Sequence, residues 1–260
     1  MSMQIGTDRF LAQIEVNHGP QALLARYFLA AVQRVADKGI SIRFSSCDEL
    51  LDINQRNLDH WFPLTTSFHP QYGNLNDSNC AVIIGENASG DVVATQAVKL
   101  IDWTVTNFKA EAESLRFFYT NPEQQKAPGE RCFVTALGAD KLSGLLGQTG
   151  AAWLRPDYRR SGASEIINKT VRAFAYTRWN IRETFSILTP AITKRDSGRR
   201  YGYSNVQPGV TMRNSPTSPD KDLNVSLGRI SMEELTDEMF QFIMETLPQV
   251  DAAVRDRRAE

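Results

Sequence analysis

Apolar positions recur along this chain with two periods, and the switches between them outline its elements. From Pro20 to Asp37 the residues Leu24, Phe28, Ala31 and Val35 form a stripe at helical spacing. Pro20 suits an early helical position and Gly39 suits the stop. Ile40–Phe44 alternates as a strand does, and Asp48–His60 returns to a helical pattern. Ala81-Val82-Ile83-Ile84 is a continuous apolar run, the mark of a buried strand. Asn87–Asp91 is turn chemistry, and Val92-Val93-Ala94 starts a return strand towards Ile101, so the pair predicts a hairpin. Glu111–Tyr119 has helical character, and Asn121–Glu130 is a loop rich in Pro and Gln. A strand is predicted over Gln148–Leu154. After it, Ile167, Val171, Phe174 and Ala175 make one helical face, with Lys169, Arg172 and Arg178 pointing elsewhere. Thr184–Thr189 is a β-rich run closed by Pro190, and Ser204–Met212 is a further strand. Ser215–Asp222 has linker composition. Ser231-x-x-Glu234 is a capping box opening a last helix, whose apolar face is Leu235, Met239, Phe242 and Ile243, with Pro248 ending or kinking it.

The segment between the central strand and its helix carries the chemistry. Trp153-Leu154-Arg155-Pro156-Asp157-Tyr158-Arg159-Arg160-Ser161-Gly162-Ala163-Ser164 is a basic, glycine-containing turn. The first amides of a helix lack intrahelical acceptors, and the helix dipole favours negative charge there. Gly162 has no Cβ, so backbone can come close to an anion. The pattern suits a pyrophosphate. The alternative is an ordinary α/β unit with a structural turn.

Arg159-x-x-Gly162-x-Ser164, with Pro156 and Tyr158 upstream, resembles the acyl-CoA turn of the GNAT superfamily of N-acyltransferases, Arg/Gln-x-x-Gly-x-Gly/Ala. Ser164 stands where that family usually has Gly or Ala. The order hairpin, strand, turn, helix, strand, Gly202-Tyr203, strand is also similar to the family's, where a Gly-Phe precedes a later strand. The resemblance implies a mixed α/β (α+β) fold with a twisted, mostly antiparallel sheet flanked by helices, here with extra N- and C-terminal helices. It implies a core over residues 40–214 with an insertion at about 107–148, after a helical extension at 1–39 and before a linker and helix at 215–260. It places acetyl-CoA or another acyl-CoA against Leu154, Arg155, Arg159, Arg160, Ser161, Gly162, Ala163 and Ser164, where the central strands splay near Trp153–Pro156. The expected activity is transfer of a short acyl group to an amine, small molecule or peptide, in a ternary complex.

Two features depart from the family pattern. The predicted central strand holds no acid to serve as a base; Glu111, Glu113 and Glu130 of the insertion are the candidates to reach in. The usual thiolate-protonating Tyr position falls on Gly198, which leaves Tyr201 as a displaced catalytic candidate, or else an ordinary packed tyrosine. The oxyanion donor is expected to be a backbone N–H near Trp153–Arg155. A catalytically degenerate acyl-CoA-binding module is therefore a second reading.

Composition narrows this further. Net charge is −1 over 260 residues, so no global field recruits nucleic acid. The charge is uneven. Residues 155–200 carry eleven basic side chains against four acids, which suits a phosphate-rich ligand, although most can be a solvated helix face. Cys47, Cys80 and Cys132 are scattered and no C-x-x-C occurs, so neither a metal centre nor a disulfide framework is expected. No apolar run suits a leader or a membrane span, so a cytoplasmic protein is expected. The Met and Phe stripe of the last helix reads as core or subunit interface, compatible with a homodimer.

Overall fold

The computed structural model describes residues 9–193, 201–216 and 222–257, without the side chains of Ala191 and of residues 247–257. Eight strands form one sheet in the order β1-β2-β3-β5-β6-β8-β7-β4. They are β1 (Ser41–Ser45), β2 (Cys80–Glu86), β3 (Val92–Trp103), β4 (Arg131–Val134), β5 (Gly144–Leu154), β6 (Glu183–Leu188), β7 (Asn205–Arg213) and β8 (Leu223–Ser231). Every pair is antiparallel except β5–β6. The helices are α1 (Gln21–Ala36), α2 (Cys47–Arg56), α3 (Phe108–Glu113), α4 (Pro122–Gln125), α5 (Ala163–Trp179), α6 (Pro190–Thr193) and α7 (Met232–Arg257). The fold is therefore the mixed, mostly antiparallel α/β arrangement that the sequence implies.

The single parallel pair needs a crossover, and α5 supplies it. The helix packs on β2, β3 and β5 and is covered in turn by α1 and α7. Ile167, Val171, Phe174 and Ala175 are buried in that layer, together with Leu24, Phe28, Ala31 and Val35 of α1 and Leu235, Met239 and Ile243 of α7. Tyr27 and Phe242 meet edge to face at 5.5 Å, so both terminal helices sit on the core. A second apolar cluster, with Phe108, Phe117, Phe185 and Trp103, lies under α3. A third, with Leu50, Ile53, Phe68 and Ile84, lies under α2.

Local signals act as expected at several points. Pro20 caps α1 and Gly39 follows it at φ 75°. The Ser231–Glu234 box is formed in both directions: the Glu234 amide donates to Ser231 Oγ at 3.2 Å and the Ser231 amide to Glu234 Oε2 at 2.9 Å.

Elsewhere the structure differs from the sequence expectation. Arg172 does not point away from the core; it is fully buried, because α5 has packed layers on both sides and no solvent face at that position. The helix expected to reach His60 ends at Arg56. The helix expected over Glu111–Tyr119 runs instead from Phe108 to Glu113. The central strand begins at Gly144, four residues before Gln148. Residues 131–134 form β4 at the far edge beside β7. Residues 223–231, within the expected linker and C-terminal helix, form β8 between β6 and β7, so the sheet extends past residue 214. The last helix continues through Pro248 to Arg257. Cys47 and Cys80 are free thiols with sulfurs 3.0 Å apart. Among the described residues no helix is long and apolar enough to cross a membrane.

Candidate functional site

The site begins where β5 and β6 part. They pair only at Leu146↔Glu183, Gly147↔Thr184 and Gln148↔Phe185. Beyond that point β5 stays with β3 and β6 stays with β8. The fork thus opens at Gln148, several residues before the expected Trp153–Pro156. A bulge in β5 accompanies it. Between the pairs Ala97↔Gly150 and Thr95↔Trp153, two residues of β5 face Gln96 alone, and Ala151 has φ 52°.

Two adjoining cavities occupy the fork. The outer one, about 440 Å3, is bounded by Trp61, Trp153, Leu154, Arg159, Arg160, Ser164 and Tyr201. The inner one, about 260 Å3, lies over Gln148–Ala152 and is walled by aromatic rings. Gln96, Ala152, Thr189, Ile192 and Tyr201 border both, so the two adjoin at Tyr201.

The basic turn closes the outer end. Gly162 is the N-cap of α5 at φ 79°, and Arg160 also has positive φ, 71°. Gly162 offers no side chain to cap the helix, and of the first-turn amides Ala163's is taken by Ser161 Oγ at 3.2 Å. A Cβ at Gly162 would meet nothing nearer than the Lys38 side chain at 3.9 Å, so the space over the turn is open. Lys38 reaches this point from beyond the end of α1. It is a cation of the site that sequence reasoning does not find, because 124 residues separate it from the turn and no local pattern links them.

The expected cofactor residues divide. Leu154, Arg159, Arg160 and Ser164 border the outer cavity. Arg159 is braced by two carbonyls, donating to Leu154 O and His60 O at 3.3 Å each. Ser161, Gly162 and Ala163 form the turn beside them. Arg155 is turned to the β2–β3 hairpin. Its guanidinium clamps Asp157 at 2.8 and 2.9 Å and reaches Asp91 at 3.4 Å, so its charge is already matched. The Arg155 amide is also used, donating to Val93 O at 2.8 Å. By the alternation of a strand, the Leu154 amide points the opposite way, to the side β6 has left.

Tyr201 stands at the junction of the cavities. Burial, with Tyr203 adding to it and Arg159 opposing, holds its phenol above the usual range, so it keeps its proton at neutral pH. Tyr203 is more deeply set. Its hydroxyl is 2.6 Å from Thr149 Oγ1, which is 3.3 Å from Phe185 O at the fork. The Arg172 guanidinium lies over the Tyr203 ring at 4.2 Å and donates from Nη1 to Gly202 O at 2.9 Å. Gly198 lies outside the described residues, as do Lys194, Arg195, Asp196, Arg199 and Arg200 of the basic segment.

The acids of the insertion have separate fates. Glu111 pairs with Arg116 at 2.7 Å, Glu113 accepts the Val134 amide at 3.1 Å, and Glu130 borders the inner cavity. Among the described residues no group of three or more His, Cys, Asp or Glu is placed to hold a metal ion.

No protein-family model and no curated protein matches this sequence. Comparison with solved structures does find likenesses. A dodecameric spermidine N-acetyltransferase from Vibrio cholerae is 8% identical over 75% of this chain and 95% of its own, with a TM-score of 0.44. The NAA60 protein of Arabidopsis thaliana, solved with a bisubstrate analogue, is 12% identical over 74% and 97%, with a TM-score of 0.44. An uncharacterized protein from Bacillus halodurans is 11% identical over 80% and 91%, with a TM-score of 0.45.

Proposed function

We propose that this protein is an acyl-CoA-dependent N-acyltransferase that moves an acetyl or other short acyl group to an amine. One observation carries the reading. The one parallel strand pair among the described residues forks after Gln148 and Phe185, and two adjoining cavities lie in the gap, one beside a basic helix start and one with aromatic rings in its wall. A long ligand with an anionic head and a thin reactive arm fits such a passage.

Arg159, Arg160 and Lys38 supply positive charge beside Gly162, and the Gly162 and Ser164 amides at the start of α5 supply donors for a pyrophosphate. When bound, acyl-CoA supplies an activated thioester carbonyl. The Leu154 amide is the donor available to polarise such a carbonyl, since the Arg155 amide is held by β3. Tyr201 Oη holds a proton at the junction, where a departing thiolate needs one. Walls on both sides of the passage fix two substrates against each other, and proximity alone is a large part of such catalysis. The three free cysteines, two of them in contact, suit a reducing cytoplasm.

The test has two stages. Calorimetry should show acetyl-CoA binding and no binding of oligonucleotides. Thiol release from acetyl-CoA in the presence of amines should then exceed release without them. Binding without amine-dependent release would favour the acyl-CoA-binding module, the reading suggested by the lack of an acid on β5. Absence of acetyl-CoA binding would refute both.

A further inference from the structure

The inner cavity has an unbalanced inventory of polar groups. Glu130 is 4% exposed. Its Oε2 accepts two hydrogen bonds, from Tyr119 Oη at 2.8 Å and from the Ala127 amide at 2.9 Å. Its Oε1 is buried and has no partner among the described residues. Gln148, also 4% exposed, donates from Nε2 to Ser67 Oγ at 2.8 Å, which fixes its amide orientation and leaves Oε1 buried and unpartnered too. Both residues border the same cavity. A buried polar atom without a partner is costly, and a half-satisfied buried carboxylate more so. No Lys, Arg or His among the described residues borders the cavity to answer them.

Trp61, Phe62, Phe68, Phe117, Phe118 and Tyr119 contribute rings to the wall, between aliphatic side chains such as Leu64 and Ile187 and polar ones such as Thr149 and Asn168. Ring faces attract a cation and pack well on a flat apolar body. The volume, about 260 Å3, falls just below the roughly 300–1,000 Å3 common for ligand pockets. It suits one ring with a short arm better than a peptide or a long polyamine.

We propose that this cavity is a subsite for a small primary ammonium on a flat apolar body, with Glu130 Oε1 as its charge anchor and Gln148 Oε1 as a second acceptor. An ammonium brings three donors and no acceptor, which complements two buried acceptor oxygens without partners. Burial and the neighbouring Glu130 hold the Tyr119 phenol well above its usual range, so it remains a donor to Oε2 and leaves Oε1 to the ligand. The identity of this ligand as the acyl acceptor rests on the acyltransferase reading; its binding does not.

The probe is 2-phenylethylamine, with 2-phenylethanol as its uncharged counterpart and spermidine as the long polyamine. Each is titrated calorimetrically into the full chain, with and without acetyl-CoA. The amine should bind at least tenfold more tightly than the alcohol or spermidine. Glu130→Gln keeps the shape and can still accept from Tyr119 and Ala127. It should weaken amine binding roughly ten- to hundred-fold, the range for a hydrogen bond to a charged group, with alcohol and acetyl-CoA binding unchanged. If the variant does not fold, the amine-to-alcohol ratio in the parent decides. Equal binding of amine and alcohol, or an unaffected Glu130→Gln, overturns the proposal. Amine binding that depends on Glu130 without any acetyl-CoA binding would uphold this subsite and remove the acyltransferase reading. Acyl transfer to amines that ignores Glu130→Gln would do the reverse.

Discussion

Replacing Gly162 separates two contributions of the phosphate turn, backbone freedom and open space. The residue sits at φ 79°, where an L side chain costs about 1–2 kcal/mol. A Cβ there meets no backbone and only the Lys38 side chain, at 3.9 Å, so steric repulsion adds little. Gly162→Ala should therefore lower Tm by roughly 2–8 °C, taking about 2–4 °C per kcal/mol for a chain near this size. Gly162→Glu carries the same strain and adds a negative charge. A carboxylate about 5 Å from a phosphate, at an effective dielectric of about 20, is repelled by about 3 kcal/mol. That corresponds to a roughly hundred-fold or greater loss of affinity. Calorimetric titration with acetyl-CoA and thermal melts of the same samples measure both effects. The alanine and glutamate variants should melt together, while acetyl-CoA affinity falls much further for the glutamate. If Gly162→Glu binds acetyl-CoA like the parent, the turn does not hold a pyrophosphate.

Tyr201→Phe removes only a hydroxyl at the junction of the cavities. It should reduce kcat on the order of 10²-fold with acetyl-CoA affinity unchanged; an unchanged kcat assigns the side chain to packing and turns attention to Tyr203. Arg172→Ala empties a fully buried site and frees Gly202 O. A loss of about 3 kcal/mol or more is expected, seen as a Tm drop of roughly 6–12 °C, and a variant as stable as the parent would contradict the packing described. Glu49 makes an acid-limb prediction. Hydrogen bonding from Arg43, opposed by partial burial and helped by Ser45, lowers its carboxyl from 4.5 to about 2. A depressed carboxyl contributes stability that is full above its unfolded value and is lost as pH falls through the folded one. The parent should lose this contribution between about pH 4.5 and 2, and Glu49→Gln should not. Parallel Tm-against-pH curves for the two proteins would show that the pair is screened out.

The elements legible in the sequence are those whose cause is local. The apolar stripe of α1, the β2–β3 hairpin, the Ser231–Glu234 box and the glycine at the start of α5 each act within a few residues, so spacing and turn chemistry are enough to see them. Their order along the chain also made the strand–turn–helix–strand unit visible, while the parallel pairing of its two strands comes from the structure. Partner choice is a different matter. β8 follows the linker-like Ser215–Asp222 in a stretch to which no element is assigned from sequence, and its strand state depends on slotting between β6 and β7. β4 pairs with β7 across a long stretch of chain. Arg172 looked like a surface cation because helical period marks one apolar face and says nothing of a second layer laid over the other. The same holds for the candidate site. The turn residues were readable, whereas Lys38 and the rings of Trp61 and Phe62 arrive from segments a hundred residues away. Three glutamates of the insertion were equivalent in sequence. Only packing, which gives Glu111 to Arg116 and Glu113 to the Val134 amide, leaves Glu130 in the inner cavity with an oxygen to spare, because a side chain's role is set by what surrounds it once long-range contacts have closed.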